Sequence, residues 1–252
     1  MDKFSRMVFK NVLLIGKYVP TDMNQSIQLP LRKTPSIAFS NDPPLTEMGF
    51  RISQLIGKTF AENGIIISAV YSSPSLRCIQ TAQNLIKSQI YDLKIRIEPA
   101  FYDFAGIKGK GIPIFMSVNE LLENNFPIDK SYDPITPVSH LSKFTTETSV
   151  EFFKRQSNNI YHLTKQSPNG TVLIVTHPCT IHAAGRELIG KTQHSLNTAD
   201  MLRVPFNYPY CSAVALKPTP DGLWMIASQA LPILNFSHFS NRFNHHFFAK
   251  SG

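Results

Sequence analysis

Two residues of this sequence place a charged or reactive side chain where a strand is followed by a helix. Arg77 lies in the first turn of a predicted helix, and His177 stands between an apolar run and Pro178. The free N–H groups and positive dipole end of a helix start attract anions, and a guanidinium there can hold an oxyanion through paired hydrogen bonds. An imidazole there can act as a nucleophile, a general base or a phosphate ligand. Taken singly, a surface arginine and a satisfied core histidine would explain the same positions.

The elements that must position these residues alternate between strands and helices. Strands are predicted at Val12–Ile15, Ile65–Tyr71, Lys94–Glu98 and Thr171–Thr176, with a closing pair at Ser212–Lys217 and Leu223–Ser228. Helices are predicted from the cap Thr46 to about Asn63, from near Ser75 onward, and from Pro178 to Gly190. Two more are predicted to begin at the capping boxes Ser117-x-x-Glu120 and Thr148-x-x-Glu151, and the second of these helices should run to about Lys165. This alternation predicts a three-layer α/β/α fold with a mostly parallel central sheet, in one domain spanning residues 1–252.

Ligands of such folds bind beyond the carboxyl ends of the strands, where helices begin. That rule selects the loop after Ile15, the turn before Arg77 and the turn before Pro178. Pro74 is expected at the first helical position, where a missing N–H costs nothing. The long polar and proline-rich stretch Lys17–Pro44 is expected to be an irregular, functional loop. The apolar face of the first predicted helix is assigned to Ile52, Leu55, Ile56, Thr59 and Phe60.

The composition favours a soluble globular protein over a nucleic-acid-binding or membrane-spanning one. The chain has 252 residues, is 42% hydrophobic and carries 25 Lys and Arg against 17 Asp and Glu. Its net charge of +8 suits anionic partners, but the charges are scattered and no nucleic-acid-binding signature is present. Three cysteines, no signal peptide and no apolar run long enough for a bilayer predict a cytoplasmic protein with no membrane or nucleic-acid partner.

Several segments, taken together, resemble the histidine phosphatase, or phosphoglycerate mutase-like, superfamily. SSPSLRCIQTA around Arg77 and VLIVTH ending at His177 are similar to two of its signature segments. Within it, the chain looks like the C-terminal phosphatase domain of the Sts/TULA proteins, which contain ubiquitin-associated and SH3 segments, and like the ecdysteroid-phosphate phosphatases. That closer likeness is carried by NDPPLT (Asn41–Thr46), KIRIEPAFYDF (Lys94–Phe104) and ELLENNFPID (Glu120–Asp129).

The resemblance implies a mechanism with two histidines, two arginines and a carboxylic acid. One histidine attacks phosphorus, an acid protonates the leaving oxygen, and the other groups stabilise the equatorial oxygens. Arg77 and His177 match the family's phosphate-binding arginine and second histidine, and Asp103 falls where this branch has an acidic glutamate. No cofactor and no metal ion are implied.

The family's catalytic Arg-His-Gly triplet is not present at the expected place. It follows the first strand, and here it reads Gly16-Lys17-Tyr18. A further arginine of this branch falls at Pro20. The glycine that usually follows the second histidine is Pro178, which has no N–H to offer a phosphate.

Lys17 therefore occupies the position of the nucleophile. An ordinary lysine, with a pKa of about 10.4, is protonated at neutral pH and has no lone pair for attack. A bound phosphate would favour the ammonium form further, whereas deep burial would oppose it. Lys17 is thus predicted to be a phosphate ligand, together with Arg77 and His177, and a poor nucleophile.

Three functions stay open at this point. The first is an inactive or impaired pseudophosphatase that binds a phosphorylated small molecule or a phosphoprotein. The second is an active phosphomonoesterase, of the protein-tyrosine or steroid-phosphate type, with the nucleophile reassigned to His177 or Lys17 and Asp103 as the acid. The third is a structural module that forms a homodimer, a state that the resemblance implies.

Two further patterns carry little weight. The basic glycine segment Gly106–Gly111 lacks P-loop spacing and is expected to be a flexible loop. His177 and His182 lie five residues apart, which is the wrong interval for two metal ligands on one helical face.

Overall fold

A computed structural model describes residues 20, 22–106, 111–166, 170–191, 197–227, 231, 233–236, 239–242 and 244 of the chain. The predicted strand Val12–Ile15 and the triplet Gly16-Lys17-Tyr18 lie outside the described residues. So does most of the glycine segment Gly106–Gly111.

The described helices and strands follow the predicted alternation. The α-helices are α1 (Pro35–Asn41), α2 (Glu47–Glu62), α3 (Leu76–Ile86), α4 (Val118–Glu123), α5 (Ser149–Gln166), α6 (Pro178–Leu188) and α7 (Thr198–Arg203). The strands are β1 (Ile67–Ser72), β2 (Ile95–Ile97), β3 (Thr171–Val175), β4 (Leu216–Pro218), β5 (Trp224–Ile226), β6 (Asn235–Phe236) and β7 (Phe239–Ser240). Short 3-10 helices cover Pro99–Phe101, Val138–Thr146 and Val204–Asn207.

The central sheet is parallel. Among the described strands its order is β2-β1-β3, with Val70 paired to Ile95 on one side and to Leu173 on the other. At the carboxyl ends, Ser72 pairs with Val175. The strands β4 and β5 form the predicted closing pair, which is antiparallel and shorter than expected.

The sheet separates two apolar clusters, one on each of its faces. Ile95, Val70 and Leu173 face one side, in a cluster that includes Ile56 of α2 and Ile79 of α3. Because consecutive strand residues point to opposite faces, their neighbours pack on the other side. The second cluster combines Ala69, Tyr71 and Ile174 with Ile160 and Leu163 of α5 and Ala184 of α6. Helices cover both faces, which confirms the three-layer α/β/α fold.

Local sequence signals place the helix ends well. The Thr46 side chain accepts a hydrogen bond from the Gly49 N–H at the start of α2, and Ser117 and Glu120 form the predicted capping box of α4. After α2 and α6, Gly64 and Gly190 adopt positive φ angles of 67° and 70°. Glycine reaches that region without a Cβ clash, so both stops are confirmed.

The predicted apolar face of α2 is wrong at Leu55, which is 53% exposed. The buried stripe includes Ser53 and Gly57 as well as Ile56. A Cβ at Gly57 would lie 2.7 Å from the Asn84 and Leu85 carbonyl oxygens of α3, so the missing side chain lets α2 approach the α3 backbone closely. That close approach turns Leu55 outward.

Two other local predictions are corrected. Pro74 is not at the first helical position: α3 begins at Leu76, after the extended N-cap Ser75. The stretch Lys17–Pro44 is not irregular throughout, because its described part contains the short helix α1, which begins at Pro35. Within the described ranges, no helix is both long and apolar enough to cross a bilayer.

Candidate functional site

The carboxyl ends of β1 and β3 bring the turns before α3 and α6 together. The Ser73 N–H donates to the Val175 carbonyl at 3.0 Å, which extends the parallel pairing by one residue beyond the strands. Arg77 is then the second residue of α3, and His177 is the N-cap of α6. Residues 100 positions apart in the chain therefore share one edge of the sheet.

His177 is buried, and both of its ring nitrogens have partners. Nδ1 lies 3.1 Å from Nη2 of Arg77, and Nε2 lies 2.8 Å from Oγ of Ser73. A guanidinium can only donate, so Nδ1 must be the acceptor and the neutral ring carries its proton on Nε2. Burial, followed by the charges of Arg77 and Arg155, lowers the pKa of His177 well below its usual value. The imidazole is therefore neutral at physiological pH.

Asp103 faces the same space as His177. Its Oδ2 lies 3.9 Å from His177 Nδ1, which is too far for a direct hydrogen bond. Its Oδ1 accepts the Phe104 N–H at 3.0 Å, and the side chain stays 29% exposed. Desolvation raises the pKa of Asp103, although Phe104, Arg77 and Arg155 oppose the rise. A carboxyl with a raised pKa is suited to donate a proton to a ligand.

A buried ion pair supports the start of α3. The Ser75 side chain makes no cap hydrogen bond; instead, Oδ1 of Asp42 accepts the Leu76 N–H at 2.8 Å. Oδ2 of Asp42 lies 3.2 Å from Nη1 of Arg32, and both side chains are at most 2% exposed. Burial raises the pKa of Asp42 to about 6, while Leu76, Arg32 and Arg77 pull it down. Asp42 thus caps, from outside the helix, the turn that carries Arg77.

The structure brings three of the four predicted site residues together. Arg77, Asp103 and His177 meet at the edge of the sheet, whereas Lys17 lies outside the described residues. Pro178 is the first residue of α6, so this helix start offers one N–H fewer to an anion. The prediction that Lys17 binds phosphate therefore stays a prediction.

The described part of the chain holds no group of three His, Cys, Asp or Glu side chains that could bind a metal ion. His182 is not directed to a shared site with His177: its Nδ1 lies 2.9 Å from the Tyr208 hydroxyl. His182 is buried in a cluster with Phe153 and Tyr208, as a core histidine would be.

A model of the histidine phosphatase superfamily (branch 1) matches residues 31–228 of the chain. The chain belongs to this superfamily. The matched range contains Arg77, Asp103 and His177, the three residues that meet at the sheet edge.

Two curated relatives match most of the chain. The ecdysteroid-phosphate phosphatase of Drosophila melanogaster is 33% identical over 221 residues, which cover 86% of this chain and 29% of that protein. Human ubiquitin-associated and SH3 domain-containing protein B is 31% identical over 235 residues, covering 88% of this chain and 34% of that protein. The chain spans about a third of the length of these curated relatives.

One solved structure shares the fold over nearly the whole chain. It is the ecdysone phosphate phosphatase of Bombyx mori, crystallised in complex with tungstate. The two chains are 26% identical with a TM-score of 0.76, and the match covers 98% of this chain and 93% of that one. This agrees with the phosphoglycerate mutase-like fold expected from the sequence.

Sequence reasoning missed the residues that support this candidate site. Asp42 and Arg32 hold the start of α3, and Ser73 receives the Nε2 proton of His177. Arg155 contacts the segment before Asp103. Asp42 and Ser73 do lie in the quoted segments NDPPLT and SSPSLR, so the family resemblance offered a signal for them. Arg155 and Arg32 lie in no such segment.

Proposed function

We propose that this chain binds phosphoryl oxyanions at the edge formed by Arg77, Asp103 and His177, and that it is a catalytically inactive or severely impaired member of its superfamily. The ligand would be a phosphorylated small molecule or a phosphoprotein. No metal ion or cofactor is required, since side-chain donors supply the binding groups.

The observation that carries the proposal is the state of Arg77. Among the described residues it makes a single hydrogen bond, from Nη2 to the neutral His177, and no carboxylate lies within ion-pair distance of it. The side chain is half-buried in the first turn of α3, where the positive end of the helix dipole favours an anion. The Leu76 N–H of that turn already donates to Asp42, so the guanidinium is the donor left for a ligand. A largely unpaired guanidinium in such a place is a binding group for a phosphoryl oxygen pair.

The replaced catalytic triplet supports the loss of turnover. The family places its nucleophile in an Arg-His-Gly triplet, and here the triplet reads Gly16-Lys17-Tyr18. An ammonium group cannot attack phosphorus, and loss of a nucleophile commonly costs several orders of magnitude in rate. His177 is a weak substitute, because its Nδ1 lone pair already accepts a hydrogen bond from Arg77 and its Nε2 proton is directed to Ser73.

The remaining expectations belong to the same proposal. In this proposal the chain is a binding module that forms a single domain over residues 1–252. We also expect it to be cytoplasmic and to self-associate into a homodimer. If the chain were a structural dimer only, it would form the dimer but would not bind phosphate analogues.

Calorimetry with tungstate, combined with an aryl-phosphate turnover assay, tests the proposal. We expect the wild-type protein to bind tungstate at about pH 7.5 and to turn over p-nitrophenyl phosphate far more slowly than the ~1 per second of ordinary enzymes. The double variant Gly16→Arg/Lys17→His, which restores the family residues, is the matched comparison. Robust wild-type turnover would refute the impaired-enzyme reading, and mass-spectrometric mapping of a trapped phospho-enzyme would then identify the reassigned nucleophile.

The anion affinity should also depend on pH. The pKa of Asp42 is raised to about 6, so this carboxylate loses much of its negative charge as the pH falls toward about 5.5. Desolvation raises the pKa of Asp103 as well. His177 stays neutral because its pKa is lowered. Less negative charge beside the site means less repulsion of a bound dianion.

We therefore expect sulfate, which stays a dianion over this range, to bind severalfold more tightly at about pH 5.5 than at about pH 7.5. Calorimetric titrations at both pH values measure the ratio. The Asp42→Asn variant, which cannot titrate, should show a smaller ratio. An affinity that falls on acidification would contradict this assignment of charges.

A further inference from the structure

A buried arginine outside the predicted site holds the segment that carries Asp103. Nη1 of Arg155, on α5, donates to the carbonyls of Ala100 and Tyr102, the latter at 3.1 Å. Both carbonyls precede Asp103, one inside the 3-10 helix Pro99–Phe101 and one directly after it, where backbone acceptors lack a strand partner and must find water or side chains. The neighbouring Gln156 reinforces the contact, since its Nε2 donates to the Ala100 carbonyl at 3.0 Å.

Arg155 is itself held in one orientation. Its Nε and Nη2 donate to the two carboxylate oxygens of Glu147 at 2.9 and 2.6 Å, and both side chains are less than 10% exposed. The guanidinium also lies over the ring of Phe144, 3.8 Å from its centroid, and near that of Phe152. A bidentate, stacked guanidinium has little freedom, so it can position what it binds.

Glu147 fixes the other end of the same segment. Burial raises the pKa of Glu147, and the charge and hydrogen bonds of Arg155, followed by the nearby Ala105 N–H, oppose that rise. A Cβ at Gly106 would collide with the Glu147 carbonyl oxygen, so the backbone packs directly against this residue. The segment is therefore pinned before Asp103 by Arg155 and after it by Glu147.

The same guanidinium acts electrostatically on the site. Its positive charge opposes the desolvation that raises the pKa of Asp103, and it helps to lower the pKa of His177. Removing it would leave the Asp103 carboxyl both less constrained and protonated up to a higher pH.

We infer that Arg155 is a positioning residue that holds the Asp103 carboxyl in place for a proton or hydrogen bond to a bound phosphoryl oxygen. The inference rests on the proposed anion binding at Arg77. The alternative is that the Arg155–Glu147 ion pair only joins α5 to the core and has no effect on the site. The two explanations make different predictions.

A double-mutant cycle on tungstate affinity separates them. We expect Arg155→Gln to weaken binding about tenfold when Asp103 is present, because a displaced carboxyl no longer hydrogen-bonds the ligand. In the Asp103→Ala background, which has no group to position, the loss should be less than about twofold, because residues that act through one another are not additive. A simple field effect of the lost charge, or a general loosening of the fold, would weaken binding equally in both backgrounds, and that result would overturn the inference. Arg96→Gln removes another ion-paired arginine, bound to Asp129, and should leave the affinity unchanged.

A second measurement needs no ligand. The pKa of Asp103 can be followed by carbon-13 NMR of labelled aspartate, assigned through Asp103→Asn. It should move upward in Arg155→Gln and stay in place in Arg96→Gln; an unmoved value in Arg155→Gln would contradict the inference. If the wild-type protein binds no tungstate, the proposed function fails, and this titration still shows whether Arg155 acts on the Asp103 carboxyl. If Arg155→Gln does not fold, Arg155→Lys, which keeps the charge but loses the planar fork, takes its place in the cycle with the same expected non-additivity.

Discussion

Replacing Arg77 by alanine should lower the affinity for tungstate by about a hundredfold or more. Charge-assisted hydrogen bonds from a guanidinium are among the strongest in proteins, at roughly 1.5 to 3 kcal/mol each, and a bidentate pair would be lost. The effect is expected to be this large because, among the described residues, Arg77 is committed only to a neutral imidazole. Its charge is thus available to a ligand.

The measurement is calorimetric titration at about pH 7.5, with unfolding temperatures to show that the variants are folded. Arg77→Lys keeps the charge but not the planar fork, so it should retain part of the affinity. Arg96→Ala is the matched control, since Arg96 is already bound to Asp129 and to the Tyr71 hydroxyl. If Arg77→Ala binds tungstate as tightly as the wild type, the anion site lies elsewhere.

The second large effect concerns stability. Asp42→Ala should cost about 3 to 5 kcal/mol in the free energy of unfolding, because it leaves the buried guanidinium of Arg32 without a counter-charge and the Leu76 N–H without an acceptor. Arg32→Met should have a similar cost, for the mirror-image reason. Urea unfolding at about pH 7 measures both.

The double variant Arg32→Met/Asp42→Ala provides the control. A coupled pair predicts a double-variant cost well below the sum of the two single costs, since neither charge is then left alone. Strictly additive costs would show that the two side chains act independently.

The pH dependence of stability gives an independent check on Asp42. The folded pKa of about 6 lies above the usual aspartate value of 3.8, so the folded state binds more protons between these pH values. The free energy of unfolding contributed by Asp42 therefore falls as pH rises from about 4 to about 6. Asp42→Asn, which cannot titrate, should show a smaller decline over that window.

Much of the architecture could be predicted because its determinants are local. The end of α2 at Gly64, the capping box at Ser117 and the buried runs that became β1 and β3 each depend on a few neighbouring residues. Parallel strands also share one edge for their carboxyl ends, so the meeting of Arg77 and His177 followed from topology. Where the expectation failed, at Leu55, a helix–helix approach at Gly57 had rotated the face.

The sequence by itself determined the fold class, the family and the change from Arg-His-Gly to Gly16-Lys17-Tyr18. Only the tertiary structure decided the protonation state of His177, the capping of α3 by Asp42 and the support of the Asp103 segment by Arg155. Those three features join residues 100, 34 and 53 positions apart. Hydrogen bonds and pKa shifts depend on distances of a few ångströms and on burial, and neither quantity exists until the chain has folded.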